Sequence, residues 1–339
     1  MGRAPVGSPA VRRQSKWGNG LSHRGPRRQA PIHRPARPWA IVAGALGFAI
    51  AALGIAACGD DDKKSGGASS TAAKPTSLSI TTSDAGRKRF AMQAPTSIKG
   101  GLVEIRFKNA SKVPHEAQLV RIEGSHPRQE VLKVVASDSD RPTKIPEWLH
   151  GEGGVQSTPP GKEATVIENL PAGHYLVTDD ETGGDDKAPA PSRRGALAEL
   201  DVTPGAPGRL PATDATIKVV DKGKDEYRFQ TSGLKAGANK LLFDNDSKKE
   251  LHHVVAFPLR PGKRIADVKK FFAQQGRPSG PPPVDFEKGV NTEVLDGKRE
   301  LVTTLTLRKG DYALVCFIND RDDVKPHFRQ GLLSQVTVR

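Results

Sequence analysis

From Ser77 to its end the chain runs through one pattern twice. The first copy contains TSLSITTSD, GGLVEIRFKNAS and VPHEAQLVRIEG; the second contains ATIKVVDKG, GANKLLFDNDS and LHHVVAFPLRPG. Each continues into a segment with helical spacing. In the second, RIADVKKFFAQQG, the residues Ile265, Val268, Phe271 and Phe272 fall on one face. After a Gly/Pro-rich loop, EATVIENLPAGHYLVTDD and GALAELDVTP in the first copy answer to ELVTTLTLRKGDYALVCF and GLLSQVTVR in the second. A period of about 135 residues is too long for a solenoid repeat and matches a duplicated domain. The break falls in a Pro/Gly linker at residues 204–212, which predicts domains over 77–203 and 213–339.

Within each copy, short alternating apolar and polar runs are separated by turn residues, with one brief helix. That predicts an all-β chain of two tandem antiparallel Greek-key β-sandwiches, each with a short helical insertion. The 35 Gly and 27 Pro fit many turns better than long helices.

The formal charge of +14 is concentrated before the repeat. Nine of the 52 Lys+Arg and none of the Asp+Glu lie in residues 1–57, so the remainder carries a net charge of only about +5. A nucleic-acid partner, which needs a basic face on the folded domain, is therefore not expected. The basic segment runs into an uncharged stretch, WAIVAGALGFAIAALGIAAC, ending at Cys58. This is the order of an export signal. Ile55-Ala56-Ala57-Cys58 resembles a bacterial lipobox, in which the chain is cut before the cysteine and its sulfur is lipidated. Residues 1–57 then form a signal peptide with a long basic start, and residues 58–76 a disordered, flexible tether. The expected place is the extracytoplasmic face of the cell membrane, with a lipid anchor on Cys58. An uncleaved membrane-spanning helix is the competing reading of the same stretch.

If Cys58 carries lipid, Cys316 is the only thiol left, and no disulfide can form within the chain. Its surroundings are YALVCFINDRDDVKPHFRQGLLSQVTV, residues 312–338. The repeat also places FKNASKVPH, ending at His115, opposite FDNDSKKELHH, ending at His253. These motifs resemble those of the plastocyanin-like blue copper proteins, the cupredoxins. There an Asn-containing turn delivers one histidine ligand, and a Tyr-containing strand delivers a cysteine, followed by a second histidine and an axial ligand. The resemblance spans both copies at the level of fold. It implies a mononuclear copper site in the second copy, formed by one of His252 and His253 together with Cys316 and His327. A thiolate with two imidazoles suits copper, and a weak axial group tunes its potential. Leu332 takes the axial position and offers no donor. The ten residues Phe317–Pro326 between Cys316 and His327 make a longer connection than the family uses. In the first copy Asp179 takes the cysteine position and Pro191 the second histidine position, so only His115 remains and no complete site is expected. His126, His150 and His174 read as exposed or capping histidines.

For each candidate ligand there is a plain structural alternative: a buried core thiol for Cys316, a strand-end pair for His252 and His253, a loop residue for His327. Two functional classes follow. One is copper-dependent electron transfer or copper handling at the cell envelope, with a redox protein as partner. The other is a metal-free envelope-binding or spacer module. The chain is not expected to be an enzyme: Cys316 has no cysteine-protease signature beside it, and GEGGVQ at Gly151 lacks the Lys-Ser/Thr of a phosphate loop. The acidic runs GDDDKK and DRDD read as solvated loop charge.

Overall fold

The computed structural model describes residues 74–136, 144–181, 188–224, 226–274, 280–322 and 325–339. The leader, Cys58 and the tether through residue 73 lie outside the described residues. In order, the elements are β1 (Thr76–Asp84), β2 (Phe90–Gln93), β3 (Ser97–Lys99), β4 (Gly101–Asn109), β5 (His115–Ile122), α1 (Arg128–Val135), β6 (Leu149–Thr158), β7 (Glu163–Leu170), β8 (Gly173–Thr178) and β9 (Leu197–Thr203). They continue with β10 (Ala215–Gly223), β11 (Glu226–Ser232), β12 (Gly237–Asn245), β13 (Val255–Pro258), α2 (Ile265–Phe272), β14 (Val290–Asn291), β15 (Arg299–Leu307), β16 (Gly310–Val315) and β17 (Leu333–Val338).

The chain is mostly β, and its three sheets repeat one order. An eight-stranded sheet runs β2-β1-β4-β7-β15-β12-β10-β11, so two four-stranded halves meet edge to edge at β7 and β15. Four strands of one smaller sheet, β9-β8-β5-β6, correspond to β17-β16-β13-β14 of the other. The alternation of β4 and β12 explains their place. Val103, Ile105 and Phe107, like Leu241 and Phe243, face the core, while Arg106, Lys108 and Lys240 face water. Leu78, Ile80 and Phe107 pack in one apolar cluster with Leu119 and Val177 of the small sheet. Ile217 and Phe243 meet Ala256 and Leu314 in the same cluster.

The sheets are mixed, which corrects the antiparallel expectation. β1 with β4, β10 with β12, and β3 with β9 pair parallel. The cause is the edge strand: β2 and β11 fold back on the outer side of β1 and β10, so the next long strand returns on the inner side in the original direction.

The two halves are also joined through buried polar contacts. Gln118 accepts the Val294 N–H (2.7 Å), and Arg299 and Arg121 both pair with the buried carboxylate of Glu152 (2.8 and 2.7 Å). Among the described residues no helix is long and apolar enough to cross a membrane.

Candidate metal centre

Asn245 ends β12 pointing inward, and its side chain shapes the loop that follows. The Nδ2 group donates to Glu250 O and Leu295 O (2.8 Å each), while Oδ1 accepts from the Ser247 N–H (3.2 Å) and hydroxyl (2.7 Å). Asn109 does the same in the first half, donating to Val113 O and Thr158 O and accepting from Ser111 N. A buried amide that satisfies a turn in this way fixes where the next side chains emerge. His252 is then held by a two-way backbone bridge to Leu295, with both hydrogen bonds at 2.9 Å.

Cys316 follows β16 directly, and its N–H donates to Leu332 O (3.1 Å). The connection to His327 doubles back. The Asp320 N–H donates to Lys325 O and the His327 N–H to Ile318 O, both at 2.9 Å. Phe317 and Phe328, beside the cysteine and the histidine, both pack on Phe272 of α2, with ring centroids 5.5 and 5.4 Å apart. The helix thus holds both ends of the long loop. The loop's Arg321 is only 4 % exposed and donates to Pro146 O (2.7 Å) and Leu149 O (3.0 Å) of the first half. Asp320 is 3 % exposed, so the reading of DRDD as wholly solvated charge is corrected: the return of the chain carries Asp320 and Arg321 inward.

The result brings His252, Cys316 and His327 together, all fully buried. Cys316 Sγ lies 3.7 Å from Nδ1 of His252 and 3.7 Å from Nδ1 of His327. Metal–sulfur and metal–nitrogen bonds of about 2.3 and 2.0 Å meeting at about 120° put their ligand atoms roughly 3.7 Å apart. The spacing therefore fits a three-coordinate ion in the plane of one sulfur and two nitrogens. His253 is not part of the group: its Nε2 accepts the Phe317 N–H (3.0 Å). Strand-like alternation sends the two neighbouring imidazoles to different sides. Leu332 is buried in the same apolar cluster as Cys316. Tyr227 of β11 makes T-shaped ring contacts with both imidazoles, with centroids 4.7 Å from His252 and 5.2 Å from His327. Gly331 makes this approach possible. Its φ is +107°, and a Cβ there would sit 2.1 Å from Tyr227 O.

Burial sets the protonation states. It pushes the Cys316 thiol up to about 12, against the pull of backbone N–H groups from His253 and Ile318. It brings His327 down to about 4, and His253 to about 3 with help from the neighbouring His327. His252 falls well below its ordinary value, chiefly by burial. Burial favours neutral imidazoles with lone pairs available, and a metal ion binding the sulfur would displace the thiol proton to solvent. Two carboxylates near the site were missed in the sequence. Glu250 Oε2 is 3.9 Å from His327 Nε2, and a carboxylate oxygen of Asp320 lies within 4.8 Å of a ring nitrogen of His327. Glu250 had one signal, its place just before the Leu-His-His motif; Asp320 had none, since it sits in an acidic loop.

The first half keeps the scaffold with different chemistry. His115 Nδ1 is hydrogen-bonded to Asp179 Oδ2, both fully buried. Phe90 of β2 stands edge-on to His115 at 4.4 Å, as Tyr227 does to His252. Gly195 (φ +108°) approaches Phe90 O as Gly331 approaches Tyr227 O. Pro191 begins a short 3-10 turn and offers no ligand. His126 stacks on Trp148 (3.8 Å) and His174 bonds Asp201 (2.9 Å). His150 bonds Asp296 of the other half (2.6 Å), a link between halves that its reading as an exposed or capping residue did not include.

No protein-family model and no curated protein sequence matches this chain. Similar solved structures are copper proteins of the cupredoxin fold. A multicopper oxidase is 16 % identical over 78 % of this chain and 88 % of its own, with a TM-score of 0.21. The blue copper protein auracyanin A of Chloroflexus aurantiacus is 19 % identical over 38 % and 99 %, with a TM-score of 0.25. A copper nitrite reductase from Nitrosomonas europaea is 12 % identical over 78 % and 94 %, with a TM-score of 0.21. At these scores the chemistry rests on this chain's own side chains. The expectation that the chain is not an enzyme is withdrawn, because the oxidase and the reductase are enzymes and the likeness reaches them as well as auracyanin.

Proposed function

We propose that residues 213–339 form a cupredoxin-like domain that binds one copper ion through Nδ1 of His252, Sγ of Cys316 and Nδ1 of His327, and that it serves electron transfer or copper handling. The observation that carries this reading is the pair of 3.7 Å approaches to one buried sulfur. Bound copper supplies a one-electron couple. The chain supplies the rest: two neutral imidazoles, a thiol that loses its proton on binding, and loops held at one end of a β scaffold. Full burial of the three side chains would exclude water from a bound ion. Leu332 offers no donor atom to a bound ion, and a set of three ligands would favour the reduced ion and a high potential.

Residues 77–203 are read as a second domain of the same Greek-key kind, and Cys58 as the lipid anchor holding both on the extracytoplasmic face of the cell membrane. The support for the anchor is the sequence Ile55-Ala56-Ala57-Cys58 after a basic and then apolar segment. Cys58→Ala should move the chain from the membrane to the soluble fraction; an unchanged membrane fraction refutes the anchor. For the metal, the purified chain is loaded with Cu(II) and dialysed. The expected result is one copper per chain and an intense visible thiolate-to-copper band that Cys316→Ala abolishes. Copper held without a visible band points to storage of the reduced ion. No retained copper overturns the metal reading and leaves a metal-free envelope-binding or spacer module.

A further inference from the structure

The loop between Cys316 and His327 does more than return the histidine. It carries Asp320 into the interior, where Asp320, Glu250 and His327 each offer a ligand atom, all within 4.8 Å of one another. All three residues are buried, at 3 %, 2 % and 0 % exposure. His327 has two faces. Nδ1 is directed at Cys316, while Nε2 has no hydrogen-bond partner among the described residues and lies 3.9 Å from Glu250 Oε2, too far for a hydrogen bond.

The two carboxylates are met mostly by neutral donors. Glu250 Oε2 accepts the Arg321 N–H (3.0 Å), with Lys249 Nζ 3.7 Å from Oε1 at the outer side. Asp320 accepts the Asp322 N–H (2.8 Å) and the Gln330 amide (3.2 Å). Two buried carboxylates beside one imidazole whose Nε2 is unpartnered make a site of negative potential with three ligand atoms close together.

We propose that Glu250, Asp320 and His327 Nε2 form a second metal site, for a divalent cation such as zinc that accepts both oxygen and nitrogen ligands, with the His327 ring bridging it to the thiolate site. Two carboxylates and one imidazole suit this borderline class, whereas the thiolate site suits copper. Binding removes the Nε2 proton to solvent, leaving an imidazolate with one nitrogen for each ion. The cation ties Glu250, in the loop before His252, to Asp320, in the insert, and so closes the long connection over the first site. The proposal rests on the copper reading only in assigning Nδ1 of His327 to the first site.

The test separates the two. The full chain bearing Cys316→Ala, with the thiolate site removed, is loaded with zinc alone and dialysed, and metal is counted by mass spectrometry. One zinc per chain is expected, and none in Cys316→Ala/Glu250→Gln/Asp320→Asn. With copper and zinc supplied together, the unsubstituted chain should hold two metals and Glu250→Gln alone should hold one with the visible band retained, which guards against a misfolded triple variant. Zinc absent from Cys316→Ala, with a single metal and an unaltered band in the unsubstituted chain, overturns the second site and leaves the copper reading intact. Glu250 and Asp320 would then act on His327 only by charge. Zinc bound by Cys316→Ala, with no copper band in the unsubstituted chain, overturns the copper reading instead.

Discussion

Glu116 of β5 and Glu293 of the loop after β14 come from opposite halves, are 1 % and 2 % exposed, and meet in a cavity of about 170 Å3 walled by Val120, Leu149 and Ile318. Asp179, Asp180 and Glu181 add negative charge around them. Burial, and then each other's charge for Glu116, push both carboxyls well above the ordinary 4.5. For Glu293 the second cause is Asp179, partly offset by a hydrogen bond with Glu116. A carboxyl whose folded-state pKa is raised is protonated in the folded chain while the unfolded chain has already lost the proton. Its favourable contribution is complete below the unfolded value and is lost as pH rises toward the folded value.

Each excess proton held by the folded state lowers stability by about 1.4 kcal/mol per pH unit across that window. Two such carboxyls give a slope approaching about 2.7 kcal/mol per pH unit where both titrate. The perturbation is Glu116→Gln/Glu293→Gln, which keeps shape and leaves an oxygen for the Asp180 N–H that Glu116 now accepts at 3.2 Å. Urea unfolding midpoints between about pH 5 and pH 8 should fall with pH in the parent chain. The double variant should lose up to two protons' worth of that slope and be the more stable form at the alkaline end. Glu168, also buried and raised chiefly by desolvation, keeps a residual slope in both. Equal slopes in parent and double variant would show that the two carboxyls ionise normally, and the account of this interface would fail.

Two substitutions test the geometry of the metal centre. Gly331→Ala must hold φ near +107° and place a methyl 2.1 Å from Tyr227 O, so it should destabilise by about 2–4 kcal/mol and lower copper retention; a change in unfolding midpoint worth less than about 1 kcal/mol would show that β11 gives way freely. His252→Gln should abolish the thiolate band, whereas His253→Gln should keep it, since its amide can still accept the Phe317 N–H; loss of the band in both refutes the assignment of ligand and support.

Much of the β scaffold was legible because it repeats. Alternation in GGLVEIRFKNAS and GANKLLFDNDS shows the strands, and Asn109 and Asn245 mark the turns that lead to His115 and His252. Parallel pairing was not legible, since alternation reports which face is buried and not which neighbour a strand chooses. The choice between His252 and His253 was also closed to sequence reading. Both side chains are fully buried, and what separates support from ligand is the 3.7 Å approach of His252 Nδ1 to Cys316 Sγ against the 3.0 Å bond from Phe317 N–H to His253 Nε2. Charge in DRDD misled for a related reason: Arg321 finds four backbone and side-chain acceptors spread from Pro146 to Asp296, far apart in sequence.

Those long-range contacts give the first half a role that its missing ligands conceal. His252 is held by its backbone bridge to Leu295, and Leu295 in turn bridges to Glu152 of β6. On either side of that bridge, the Gly153 N–H donates to Val294 O (3.0 Å) and the Asp296 N–H to Gly151 O (2.6 Å). Gly151 and Gly153 allow the approach, because a Cβ at Gly151 would lie 2.9 Å from Val294 O and one at Gly153 would lie 3.1 Å from Leu295 Cδ2. Arg321 fastens the other ligand loop to Pro146 and Leu149 of the same region. Both loops that carry the His-Cys-His group are therefore braced by β6 and the turn before it, in the half where Asp179 and Pro191 take the cysteine and second-histidine positions. In that half the corresponding interior position holds a buried His115–Asp179 hydrogen bond, so the same scaffold that braces the His-Cys-His group carries a different polar pair of its own.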